Sequence, residues 1–138
     1  MAATPSPTPP LRPEALLHVN QAQHNWQAYQ HLLQTSNFPD WALTSLFYAA
    51  LHLVQAYAVQ TAPDPSLAPT NHTQRNQFVR DRLRPINPHY RTLYDRSRQV
   101  RYEPGRPRPT PEQLRQFEQQ EFAAIAAHLR PFGISLAP

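Results

Sequence analysis

The sequence predicts an all-α protein: a bundle of four to five up-and-down antiparallel helices joined by proline-rich loops. Three observations carry this expectation. Seventeen prolines stand against two glycines in 138 residues, a balance short of the glycines that tight hairpins need and suited to helices separated by stiff breaks. Apolar residues recur at three- and four-residue spacing in several long segments. Hydrophobic residues make up 40% of the chain, enough for one core in a domain of ordinary size.

Residues 1–13, MAATPSPTPPLRP, are mostly Pro, Thr and Ala and read as a disordered tail. The folded domain is expected over 14–132, with 133–138 as a short second tail. A first helix runs from Pro13, where a missing N–H costs nothing, to about Thr35, with Leu16, Val19, Trp26, Tyr29 and Leu33 at helical spacing. Phe38-Pro39-Asp40 breaks the chain, and Asp40 is a suitable N-cap for a second helix, Trp41 to about Gln60. That helix is the most apolar. Leu43, Leu46, Phe47, Ala50, Val54 and Tyr57 form its broad face, and Thr44, Tyr48, His52 and Gln55 form a polar seam fit to line a groove or meet a partner. Three prolines mark 61–70 as a loop. Asn71 caps a third helix to about Leu83. A fourth opens at Asn87-Pro88 with Ile86, Tyr90, Leu93, Ser97 and Val100 inward. After the loop EPGRPRPTP, a last helix runs from about Pro111 to Arg130 with Leu114, Phe117, Phe122, Ile125 and Leu129 inward.

The net charge is +4 and every one of the 13 basic residues is Arg. Without Lys there is no Schiff-base chemistry and no P-loop. Without Cys there is no disulfide, thiolate metal site or thiol nucleophile. No cationic segment followed by an apolar stretch opens the chain, and no uninterrupted apolar run reaches a bilayer span. A cytoplasmic protein without a membrane partner is expected. The charge is uneven: residues 72–108 hold ten Arg against Asp81, Asp95 and Glu103. Such a concentration suits a polyanionic partner, nucleic acid before membrane, or else a solvated basic face.

Two segments carry a family resemblance. Leu46-Phe47-Tyr48-Ala49-Ala50-Leu51-His52 resembles the YYAxFH segment in the second helix of HEPN domains, the small helical bundles of prokaryotic toxin, defence and RNA-processing systems. Tyr90-x-x-Leu93-Tyr94-x-x-Ser97-x-x-Val100-Arg101-Tyr102 resembles the segment on the helix before the last. The resemblance covers residues 14–130. It implies an RNA-directed protein, often a homodimer, and in many members a metal-independent ribonuclease of a toxin–antitoxin or defence system, with no cofactor. In those members an R-x(4–6)-H motif supplies an Arg that neutralises phosphate charge and a His that moves the proton of the 2′-hydroxyl. Here the segment Asp95–Tyr102 has Arg in abundance and no His; counted from Arg96, the His position holds Arg101, a poor base. The alternative is a non-catalytic module that binds nucleic acid, nucleotide or a partner protein. The family's paired systems also imply a nucleotidyltransferase partner that would modify Tyr102.

Helical geometry, at about 100° per residue, puts Arg91, Asp95, Arg98 and Tyr102 on one side of the fourth helix and Arg96 elsewhere. Arg98, His52 and Tyr102 are the candidate catalytic residues, His52 as the replacement proton carrier if the polar seam faces the fourth helix. Arg91, Arg101, His72 and Arg75 are candidates for nucleic-acid binding. His72 and Arg75 open the third helix, whose N-terminus favours anions. The ladder Arg91–Asp95–Arg98 could equally be a surface ion-pair array. Literal R-x(4–6)-H matches at Arg84/His89 and Arg12/His18 lie away from the expected position. His18, His24 and His31 are too widely spaced along one helix to share a metal, so no metal site is expected.

Overall fold

A computed structural model describes residues 9–35 and 37–138, and among these it is all-α, without strands. The helices are α1 (Pro13–Thr35), α2 (Pro39–Thr61), α3 (His72–Arg82), α4 (Asn87–Tyr102), α5 (Pro111–Gln116) and α6 (Ala123–Leu129). Residues 1–8 of the expected disordered tail lie outside the described residues.

The core is built around α2. Leu43, Leu46, Phe47, Ala50, Leu53 and Val54 are fully buried along it. By length and composition α2 is the one helix among the described residues able to cross a membrane, although no uninterrupted run announced it; most of it is buried inside the bundle. The expected N-cap at Asp40 shifts by two residues: Phe38 occupies that position and Asp40 sits in the first turn, where its charge favours the helix N-terminus.

α1 packs on α2 more extensively than any other pair. Its buried residues are Ala15, Ala22 and Tyr29, seven apart, and α2 buries Ala42, Ala49 and Ala56 at the same interval. Small side chains at that repeat let two backbones come close. The expected inward stripe of α1 is therefore rotated: Leu16 is 48% exposed, while Val19, Trp26 and Leu33 pack on the core's margin. Arg12 meets Val59 and Ala62, and His18 meets His52, so the pair is antiparallel.

The last helix departs from an uninterrupted α-helix. Between α5 and α6 lies a π-helical segment, Phe117–Phe122. At its start the Tyr29 hydroxyl donates to the Glu118 carboxylate at 2.8 Å and lies 3.3 Å from the Leu114 carbonyl. A side chain reaching into the helix ladder is a recognised cause of such a segment. Arg12 and the segment from Gly133 are also more engaged than tails. Arg12 Nη1 donates to the carbonyls of Val59 and Ala62 at 2.9 and 2.7 Å, tying down the C-terminal end of α2. After a 3₁₀ turn, Gly133 takes φ = 80°, a left-handed conformation open to glycine, and turns the chain so that Ile134 is fully buried.

Candidate functional site

The polar seam of α2 is mostly covered from within the chain and does not stand free for a dimer partner. Thr44 and Gln55 are 7% and 6% exposed. The Thr44 hydroxyl donates to the Asp40 carbonyl at 2.8 Å. Gln55 donates from Nε2 to the Pro69 carbonyl at 2.7 Å and accepts from Arg75 Nε at 2.8 Å. These bonds fix the loop before α3 and the first turn of α3 against α2. Asn71 then caps α3, accepting from the Gln74 amide at 2.8 Å. The effect is to bring His72 against Phe47 and Tyr48, with ring centroids 6.1 and 6.3 Å apart.

α4 reaches the same place from the other side. Phe47 is the hub: ring centroids of Tyr48, Tyr90, Tyr94 and His72 lie 5.2, 5.7, 5.8 and 6.1 Å away. The Arg101 guanidinium sits 5.9 Å from the Phe47 centroid and 5.5 Å from that of Tyr48. His72 and Arg101 thus share two aromatic neighbours, although they are 29 positions apart in sequence. Burial, reinforced by the charges of Arg75, Arg101 and Arg98, lowers the pKa of His72 below the ordinary imidazole value. It is therefore neutral at neutral pH and able to accept a proton.

Four buried side-chain atoms here have no hydrogen-bond partner: His72 Nδ1, Asn76 Oδ1, Tyr90 Oη and Arg101 Nη1. Asn76 is one turn from His72 on α3. The Tyr90 hydroxyl is buried close to Arg75 without a bond of sound geometry, and burial raises its pKa. Each such atom costs about 1–3 kcal/mol relative to a satisfied one. Unsatisfied donors and acceptors gathered around one basic, aromatic cluster make it a candidate for ligand binding.

The outer rim follows the helical arithmetic. Arg91 pairs with Asp95 at 3.4 Å and lies 5.2 Å from the Tyr94 ring. Arg98 and Arg101 each sit 5.5 Å from the ring of Tyr102, which is 67% exposed. Arg96 points away, against Phe117 at 5.9 Å. The array of ion pairs is only half formed, because Arg98 has no ion pair among the described residues.

Two expected roles change. His52 does not meet the arginines of α4; its Nδ1 lies 2.9 Å from Nδ1 of His18 on α1, with the rings stacked at 5.2 Å. One ring donates its N–H to the bare nitrogen of the other, which requires the accepting ring to be neutral. Burial, then the charges of His18 and Arg75, lowers the pKa of His52 to about 4, and burial with Arg75 lowers that of His18. Arg75 does not join His72 on an exposed helix start either. It is 8% exposed and committed to Gln55. His89, of the R-x(4–6)-H match at Arg84, pairs with Glu121 at 2.6 Å. The arrangement was partly readable in advance. The short link between Thr35 and Pro39 makes α1 and α2 antiparallel neighbours, which brings His18, 17 positions before the end of α1, and His52, 13 positions after the start of α2, only to within about one turn of each other. Tyr48 as the bed for Arg101 has no comparable signal.

No protein-family model matches this chain, and neither a curated protein nor a solved structure does.

Proposed function

We propose that this protein is an RNA-directed, HEPN-like domain whose α2–α3–α4 face binds the nucleic-acid backbone. The observation that carries the reading is the pairing of His72 with Arg101 over Phe47 and Tyr48, each with a buried polar atom that has no partner. Arg98 and Arg101 supply fixed positive charge for a phosphate, and Tyr102 supplies an exposed ring beside them. Arg91 is the outermost contact, partly spent on Asp95. On this reading the protein works in the cytoplasm.

A metal-independent ribonuclease is the second reading, favoured by His72. It is held neutral beside two arginines, as a base for the 2′-hydroxyl has to be, and α3 supplies the imidazole that α4 lacks. His52, locked to His18, is the poorer candidate. The test is labelled single-stranded RNA incubated with the protein in EDTA, over a salt series. Arg98→Ala should weaken binding and lower the slope of log affinity against log salt by about 1. Cleavage lost in His72→Ala and kept in His52→Ala supports the ribonuclease. Salt-dependent binding without cleavage leaves the binding domain, and no binding to any RNA refutes the proposal.

A further inference from the structure

Beyond the phosphate face lies a cleft of about 240 Å³ between the first turn of α2 and the last turn of α4, lined by Asp40, Trp41, Thr44, Val100, Arg101 and Tyr102. Its volume falls just under the range of about 300–1,000 Å³ found for drug-sized ligands, which suits a single planar ring system. Two of its walls are aromatic and unusually open: Trp41 is 56% and Tyr102 67% exposed. Tyr102 is flanked by Arg98 and Arg101. Trp41 pairs with no aromatic ring and no cation among the described residues, and more than half of it is exposed. The cleft's free acceptor stands beside the Arg101 guanidinium, which is a donor. The Asp40 carboxylate makes neither a hydrogen bond nor an ion pair among the described residues; only its backbone carbonyl is used, by Thr44.

The cleft is continuous with basic surface on both sides. Toward Arg98 it shares Tyr102 with a second cleft. Toward Arg106 and Arg108 it shares Asp40, Val100 and Arg101 with a third. The acids along this path are largely neutralised, Asp95 by Arg91 and Glu103 by Arg106. Arg98, Arg101 and Arg108 carry no ion pair among the described residues.

We propose that this cleft is a base-reading subsite for guanine in single-stranded RNA. The base stacks on Trp41 with Tyr102 opposite, its flanking phosphates lie toward Arg98 and toward Arg108, and Asp40 accepts hydrogen bonds from its N1 and N2 donors. The inference rests on the nucleic-acid reading above and adds to it the identity of a base. An aromatic platform alone is indifferent to sequence, because every base has a π-face. A lone carboxylate is not: it pairs with the two donors of the guanine edge and meets only an acceptor, a single N–H and another acceptor on uracil.

The test is fluorescence anisotropy with two labelled oligonucleotides, one all uridine and one with a single central guanosine, using the wild type, Asp40→Asn, Trp41→Ala and Arg98→Ala. The wild type should prefer the guanosine oligonucleotide by about tenfold, the worth of one good charged recognition pair. Asp40→Asn should abolish the preference and keep the affinity for oligouridine. Trp41→Ala should weaken guanosine binding by about 5- to 100-fold, the usual cost of a lost stacking platform. Arg98→Ala should weaken both oligonucleotides alike. Trp41 is exposed and Asp40 half-buried, and unchanged circular dichroism will show that the variants fold. Equal affinity of the wild type for both oligonucleotides, or a preference that survives Asp40→Asn, overturns the subsite and leaves the RNA reading standing. Binding to neither overturns both.

Discussion

Replacing His52 with Asn probes the histidine pair between α1 and α2. Asn places an amide near the position of Nδ1, so it can still bond to His18, and it does not titrate. In the wild type the folded protein holds His52 at a pKa of about 4 against 6.5 for the free side chain. The sign follows from linkage: a depressed imidazole pKa means that the unfolded chain binds the proton more readily, so stability is full above 6.5 and falls as pH drops toward 4. Between about pH 7.5 and about pH 5 the loss from this one group has a ceiling of about 2 kcal/mol, and solvent screening of a partly exposed ring brings it to about 1 kcal/mol. His18 and His72 are shifted the same way and contribute to both proteins. The assay is urea denaturation followed by circular dichroism at the two pH values. The wild type should lose about 1–2 kcal/mol more than His52→Asn over that interval. Equal losses would refute the argument that a half-buried histidine pair at this position sets the acid sensitivity.

Three other perturbations test the architecture. Arg75→Met leaves the Gln55 carbonyl oxygen buried without its donor and should cost about 1–3 kcal/mol in denaturant, while RNA affinity, measured by anisotropy, falls far less than in Arg98→Ala. Tyr29→Phe removes the bond to Glu118 at the π segment and should cost about 1.5 kcal/mol, with hydrogen exchange of the amides of 114–122 accelerated. Ile134→Ala opens a cavity under the C-terminal segment and should cost about 2–4 kcal/mol by the same denaturation measurement, a loss that an independent tail would not show.

The helices were legible because their signals are local. Asn71 caps α3 and Thr110 caps α5 through side-chain bonds to the backbone three residues on, and proline stands early in α1, α2, α4 and α5. Such signals need no tertiary context. The inward faces of α2 and α4 follow from periodicity alone, since Leu43, Leu46, Phe47, Tyr90 and Leu93 are all buried. On α1 periodicity placed Tyr29 inward, where it is buried, but passed over Ala15 and Ala22, because the closest contact with α2 is made by alanines. Hydrophobicity patterns rank Leu16 above Ala15, whereas close backbone approach selects the smaller residue.

The rest depends on how the helices are assembled. Periodicity placed Arg91, Asp95, Arg98 and Tyr102 on one side of α4, and they lie there. It could not say that Arg75 turns inward to Gln55 while Arg101 covers Tyr48, because both are arginines on basic helices and differ only in what packs against them. Nor could it choose among seven histidines. His18 and His52 meet each other and His72 meets the arginines, because the path of the loop held by Gln55 carries α3 over one end of α2. By itself the sequence determined an all-α bundle with a basic segment lacking the expected histidine. Only the tertiary structure decided which histidine stands beside that segment, since proximity between residues far apart in the chain arises from packing and leaves no periodic trace.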